Sequence, residues 1–323
     1  MLRRPVVLIS GCSSGFGMLT AVEMVRRGFF VIATLRNLDK RQRLDNALLQ
    51  LKVQNLQVNN SNNISLNWEK TPFQVDQNPF LETPHPLCKL LHLDVTNLDL
   101  INNCVPTILE HFGSIDVLVN NAGCGLGGFA EDVTLEEFRT QFEINFWGLV
   151  SLTKAVIPQM RNRRQGHIIN VSSIAGLMGV PGLSSYCASK FAVEGFSESL
   201  RYELLPFNVW VSLVEPGTYP TDIHNDTRDL VTSAYKPDSA YYQWGQRLLC
   251  ETLEQVKYTK ADPQEVARLI TDIAETKKTK ARYVIGKDSI YPILKKLIPA
   301  FIFERLICYL SGYRSVKITE KVK

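Results

Sequence analysis

A short apolar strand that ends in a glycine-rich turn and passes straight into a helix leaves a chain few folds to choose from. This chain opens on that arrangement. Val6 to Ile9 is an unbroken apolar run, Ser10-Gly11-Cys12-Ser13-Ser14-Gly15-Phe16-Gly17 follows, and Met18 to Arg27 reads as a helix. A strand apolar on every residue needs cover on both faces, which points to a parallel sheet between layers of helices. Gly11 permits the tight turn, Gly15 lets a phosphate approach the backbone, and Gly17 lets the helix pack against the strand. The helix then offers its first amides and the positive end of its dipole to an anion.

The rhythm continues along the chain. Strands are expected to begin near Val6, Phe30, Leu90, Ile115, His167, Val209 and Arg282, with helices over about 16–27, 38–50, 97–112, 134–162 and 184–205. This predicts an α/β fold, a doubly wound, seven-stranded parallel sheet in a single domain over residues 1–287. Residues 52–88 interrupt it with Asn59, Asn60, Asn62, Asn63 and four prolines, and read as an inserted loop.

With 45% apolar and 21% charged residues the chain has an ordinary globular core, which excludes a wholly disordered protein. Seven scattered cysteines without paired spacing read as reduced thiols, and no metal site is expected. Met1-Leu2-Arg3-Arg4 runs into an apolar stretch too short for a signal peptide or a membrane span, so the chain is expected to start here and to be cytoplasmic. Charge is uneven: from Lys277 onward 12 Lys and Arg face three acids, net +9, whereas the preceding residues carry 24 basic and 29 acidic groups, net −5. A uniform basic coat would suggest nucleic acid, which is not expected as a partner. A basic tail suggests an anionic surface near the C-terminus. Residues 288–323 read as an amphipathic tail, because Lys295, Lys296, Glu304, Arg305 and Pro299 interrupt its apolar run. Such a tail can lie peripherally on a membrane, cover a substrate cleft or pack in a homo-oligomer, which is the expected assembly.

The second strand ends in Leu35-Arg36-Asn37, with no carboxylate to take a ribose 2′-hydroxyl. Arg36, with Ser14 in the first loop, suits a 2′-phosphate, so NADP(H) is preferred to NAD(H). Tyr186 and Lys190 stand one helical turn apart, where a cation next to a phenol would stabilise the phenolate.

Together, Ser10 to Gly17, Asp94, Asn120-Asn121-Ala122-Gly123, Asn145, Ser173, Tyr186, Lys190, Pro216-Gly217 and Thr221 resemble the short-chain dehydrogenase/reductase family, in its hydroxysteroid and retinol dehydrogenase branch. The resemblance covers roughly residues 5–222, with Ser10 where the family usually has threonine and Phe16 where it often has isoleucine. It implies cofactor contacts at Gly11, Ser13, Ser14, Gly15, Phe16, Gly17, Arg36, Asp94, Val95, Asn121, Ala122, Gly123, Tyr186, Lys190, Pro216, Gly217 and Thr221. Asp94 and Val95 would lie under the adenine, and Pro216-Gly217 with Thr221 would hold the nicotinamide. It also implies a catalytic tetrad of Asn145, Ser173, Tyr186 and Lys190. Ser173 would polarise a carbonyl, Tyr186 would pass its proton, Lys190 would tune Tyr186 and bind ribose, and Asn145 would interrupt its helix and hold a water. Substrate would meet Ser173, Met178, Leu183 and Tyr186. Leu126, Leu177 and Val180 nearby are also apolar, favouring a lipophilic ketone or aldehyde: a steroid, a retinoid or apocarotenal, or a keto-lipid. The competing reading is a non-catalytic NADP(H)-sensing protein on the same fold. His167 and His224 lack spaced partners and read as structural or exposed.

Overall fold

The computed structural model describes residues 3–62, 79–222 and 237–311. His224 and the middle of the Asn-rich stretch lie outside the described residues.

Eight strands form one sheet: β1 (Val6–Ile9), β2 (Phe30–Leu35), β3 (Leu81–Glu82), β4 (Cys88–His92), β5 (Val117–Asn120), β6 (Gly166–Val171), β7 (Val209–Pro216) and β8 (Arg282–Ile285). Their spatial order is β3-β4-β2-β1-β5-β6-β7-β8, with every pair parallel except β3 on β4. The seven expected strands are all present. The eighth, β3, is a two-residue antiparallel edge within the supposed insert, too short for any periodic signal to mark it.

The helices are α1 (Gly15–Arg26), α2 (Gln42–Asn62), α3 (Leu98–Phe112), α4 (Leu135–Phe142), α5 (Gly148–Arg163), α6 (Ser184–Leu204), α7 (Tyr242–Tyr258), α8 (Gln264–Glu275), α9 (Ile290–Leu297) and α10 (Ala300–Leu310). Two expectations need correction. Residues 52–88 are not one loop, because α2 runs on to Asn62 and β3 and β4 begin at Leu81 and Cys88. The expected helix over 134–162 is α4 and α5, joined by a π-turn at Glu143–Trp147. Helices α7 and α8 went unread.

Alternate residues of each strand serve opposite layers, as the two-residue period requires. Val7 and Ile9 join Ala21, Met24 and Val25 of α1, Leu44 and Leu48 of α2, and Val266 and Ile270 of α8 in one core. Val6 and Leu8 join Ile101 and Ile108 of α3, Val156 of α5 and Leu200 of α6 in the other. Fixing β1 between two cores fixes where the glycine turn emerges. Successive connections from β1 lead outward to β2 and β4, while β5 lies on the other flank of β1, so the order reverses between β1 and β5. Open α/β sheets take ligands outside the carboxyl ends of strands at such a switch point.

Candidate active site at the carboxyl edge of the sheet

The turn after β1 and the turn after β5 meet at this switch point and are bonded together. Ser10 Oγ accepts from the amides of Asn121 and Ala122, each at 3.0 Å, so serine fills this bridging position. The Asn121 amide donates back to Ser10 O (3.0 Å) and Gly11 O (2.9 Å). Its side chain is therefore committed to shaping the loop. Gly17 has no room for any side chain, since a Cβ there would lie 2.2 Å from Gly11 O. Gly11 adopts φ +75°, and a Cβ on it would meet Ala122 Cα at 2.8 Å.

Ser14 caps α1 in an extended conformation without bonding to it through its side chain. Helices leave their first amides without partners inside the helix, so those of Gly15, Phe16 and Gly17 are available to an anion. Phe16 contributes backbone only, because its ring packs edge-on against Tyr219 at 5.6 Å. Ser13 and Ser14 are half-buried beside them, and Arg36 is exposed at the end of β2. Asp94 Oδ1 accepts from the amide and hydroxyl of Thr96 at 2.9 and 2.8 Å, a turn leading to the true cap of α3, Asn97. Val95 is buried against α5. Beyond β7, Gly217 N donates to Ile285 O at 2.8 Å, and Thr221 Cβ stands 3.6 Å from where a Cβ on Gly15 would sit. The Pro216–Thr221 segment therefore closes over the phosphate turn.

Asn145, Ser173, Tyr186 and Lys190 converge beside this cradle. Ser173 ends the turn after β6, where its Oγ caps a short 3₁₀ turn through Ala175 N (3.1 Å) and hydrogen-bonds to Tyr186. Tyr186 and Lys190 occupy successive turns of α6, and Lys190 Nζ lies 5.8 Å from the Tyr186 ring centre. The Lys190 ammonium is buried and donates to Val171 O at 2.9 Å. Asn145 sits in the π-turn, whose extra residue widens the helix. Its Oδ1 accepts from Cys124 N (2.8 Å) while its Nδ2 donates to Cys124 O (2.9 Å) and Ser189 Oγ (3.1 Å). The helix interruption expected at Asn145 is present. What its amide holds is the loop after β5 and helix α6, to which Ser189 belongs.

Electrostatically, burial governs both members of the tyrosine–lysine pair. It pushes the Tyr186 phenol up to about 12, against the Ser173 hydrogen bond, and pulls the Lys190 ammonium down to about 8, with Cys124 and Glu194 opposing that fall. The lowering of Tyr186 expected from its neighbouring cation is not found, and burial raises the phenol instead. Tyr186 is thus a phenol throughout the neutral range, and Lys190 is mostly charged at pH 7.

The apolar residues expected to meet substrate divide into two groups. Leu126 and Met178 are buried in packing, whereas Leu177, Val180 and Leu183 are half-exposed. Gly128 N donates to Gly182 O at 2.7 Å, joining the loop after β5 to the 174–183 segment. Two further elements border the cleft: α7, which sequence reasoning did not read, and α9 of the tail, for which covering a cleft was one of the expected roles. Leu248 of α7 stands 3.4 Å from the Cβ position of Gly182, and Lys295 Nζ of α9 donates to Leu177 O at 2.8 Å. His167 lies at the opposite end of β6, and no cluster fit for a metal occurs among the described residues.

Comparison with known proteins points to one family. A family model described as short chain dehydrogenase matches residues 81–231. The chain is 38% identical over 311 residues to an uncharacterized oxidoreductase of Bacillus subtilis, YusZ, spanning 95% of this chain and 98% of that protein. It is 37% identical over 274 residues to retinol dehydrogenase 8 of Bos taurus, spanning 83% and 77%. A solved short-chain dehydrogenase from Streptomyces avermitilis superposes with a TM-score of 0.68 at 28% identity, covering 98% of this chain and all of that one.

Proposed function

The chain belongs to the short-chain dehydrogenase family of oxidoreductases, and from that premise we propose that it interconverts a lipophilic ketone or aldehyde and its alcohol with NADP(H). The observation that carries this reading is the convergence of Ser173, Tyr186, Lys190 and Asn145 beside a phosphate-sized glycine cradle.

The residues present fit the dinucleotide. The first amides of α1, at Gly15 to Gly17, and its dipole would hold the pyrophosphate, and Asp94 and Val95 would lie against the adenine. Arg36 and Ser14 favour the 2′-phosphate, since no acid occupies the end of β2 to take a 2′-hydroxyl. When bound, NADPH supplies the hydride. Ser173 holds the carbonyl oxygen by hydrogen bonding, and Tyr186 transfers its phenolic proton to that oxygen as negative charge develops there. The phenol can give up this proton despite its raised pKa, because an alkoxide is a stronger base than a phenolate. Lys190 stabilises the phenolate left behind and offers its remaining protons to the nicotinamide ribose. Asn145 holds the Cys124 loop and α6 in register, which keeps the donor aimed. In the oxidative direction Tyr186 phenolate removes the alcohol proton.

Leu177, Val180 and Leu183 give the cleft its apolar wall, and the tail supports a route of entry. Helix α9 touches the cleft edge through Lys295, while Ile293, Leu297, Phe301, Ile302 and Leu310 remain exposed near Lys296 and Arg305. No helix among the described residues is long and apolar enough to cross a membrane. The tail's amphipathic surface suits an anionic lipid bilayer from which a steroid, retinoid or keto-lipid could be taken.

The deciding experiment follows NADPH absorbance across those three substrate classes with wild type and Tyr186→Phe. The variant should keep NADPH binding and lose about 10²–10⁴-fold in turnover, the usual worth of a placed acid–base group. Near-normal turnover by Tyr186→Phe would refute the assignment.

A further inference from the structure

Tyr186, Lys190 and Glu194 follow one another at four-residue intervals along one face of α6. Glu194 is 5% exposed, and Glu215, beside Pro216 at the end of β7, is fully buried. Two carboxylates buried side by side need compensating charge. The guanidinium of Arg282, on the edge strand β8, supplies it: Nη1 donates to Glu194 Oε2 and, at 2.7 Å, to Glu215 Oε1. Its Nη2 is turned outward to Glu198 at 2.8 Å.

One guanidinium cannot satisfy both acids. Glu194 Oε1 and Glu215 Oε2 are buried without a hydrogen-bond partner, as is Ser172 Oγ next to them. Gly176 makes room for this convergence, since a Cβ on it would lie 2.9 Å from Ser172 Oγ and 3.1 Å from Glu194 Oε1. The two carboxyl groups are held together at one point, since both accept from the same Arg282 Nη1. Two carboxylates have only acceptors to offer, whereas a carboxyl and a carboxylate make a bond. A shared proton supplies a donor between the two carboxyl groups themselves, which the single hydroxyl of Ser172 does not.

We propose that Glu194 and Glu215 share one proton against Arg282, and that its release holds Lys190 in the ammonium form, making the pair positioning residues that act through Lys190. This rests on the role given to Lys190 above. With the proton in place, Arg282 balances the single remaining buried carboxylate, while its outward edge meets the solvent-exposed Glu198. Once it leaves, a net negative charge appears one helical turn from a buried ammonium that donates to the Val171 carbonyl, and the ammonium is favoured. The charged and titratable groups facing this assembly are Glu198 and Arg282 on the pair's side, and Tyr186 and Cys124 on the side of Lys190. Burial, then the facing Glu194, push Glu215 up to about 7, next to the value of about 8 for Lys190. The two groups therefore titrate in adjoining ranges, each affecting the other.

The test uses the full chain as wild type, Glu215→Gln and Glu194→Gln. Either substitution leaves one carboxylate against Arg282, and using both guards against a failure of one to fold. Infrared spectra of wild type from about pH 6 to about pH 9 should show a protonated-carboxyl stretch that fades near neutrality and is missing in both variants. NADPH binding followed over the same range and above should lose its alkaline limb about one pH unit earlier in each variant, because the negative charge near Lys190 can no longer form. Absence of the carboxyl band in wild type, or alkaline limbs that coincide in all three proteins, overturns the proposal. If wild type binds no NADPH at any pH, the proposed function fails, and the infrared result still decides whether the pair holds a proton.

Discussion

Removing the charge of Lys190 should make the protein more stable while weakening its hold on cofactor. The ammonium is buried, its hydrogen bond goes to Val171 O, and its pKa falls from 10.5 to about 8. At about 1.36 kcal/mol per pKa unit, carrying that charge at pH 7 costs the fold on the order of 3 kcal/mol. Lys190→Met removes this cost and also removes one hydrogen bond worth about 1 kcal/mol, for a net gain of roughly 2 kcal/mol. Unfolding entropy of about 2.1 cal/mol/K per residue gives roughly 0.7 kcal/mol/K for 323 residues, so the melting temperature should rise by about 3 °C. The sign follows from the folded pKa lying below the unfolded one. Wild type loses stability as pH falls from 10.5 to about 8 and carries the full penalty below that. The variant's advantage should therefore be greatest at neutral pH and vanish or reverse near pH 10.5. Thermal melts of both proteins at pH 7 and at about pH 10, with the difference taken at each pH, cancel groups common to both. A variant less stable at pH 7, or an advantage equal at both pH values, would show that Lys190 is not a strained charge.

Other outcomes follow from the cradle and the tail. Arg36→Asp should shift preference from NADPH toward NADH by about 10-fold or more, measured as the ratio of kcat/KM values, because the new carboxylate repels a 2′-phosphate and accepts from a 2′-hydroxyl. An unchanged ratio would remove Arg36 from cofactor selection. Gly17→Ala places a methyl 2.2 Å from Gly11 O, a backbone atom that cannot swing aside, so urea titration should show a loss of at least about 2 kcal/mol together with lost NADPH binding. Co-sedimentation with anionic vesicles should fall several-fold when Leu297 and Phe301 are both changed to Ser, and binding equal to wild type would count against a lipid-facing tail.

The phosphate cradle was readable in advance because its determinants are local: a buried strand, then glycines at fixed offsets, then a helix. Asn145, Ser173, Tyr186 and Lys190 were singled out through the family resemblance, and the chain brings the four side by side. The character of their surroundings was not legible. A neighbouring cation promised an acidic phenol, yet burial raises the phenol instead. An interruption at Asn145 was implied only by the resemblance, since one extra residue in a helix leaves the apolar pattern almost unchanged and the stretch 134–162 reads as one helix. Helix α2 runs on to Asn62 through an asparagine-rich stretch, against the weak helix preference of that residue. The Arg282 cluster joins residues 67 and 88 positions apart, a pairing that periodicity cannot reveal.

Helix α6 carries Tyr186, Lys190 and Glu194 in one file. Each residue added to or deleted from an α-helix turns everything beyond it by about 100°. A single insertion between Leu183 and Tyr186 would swing all three away from the cleft together, while point changes on the outward face leave the file intact. In descendants of this gene, α6 should therefore accumulate substitutions freely at exposed positions and resist any change of length, so that loss of the chemistry would come in one step rather than by degrees.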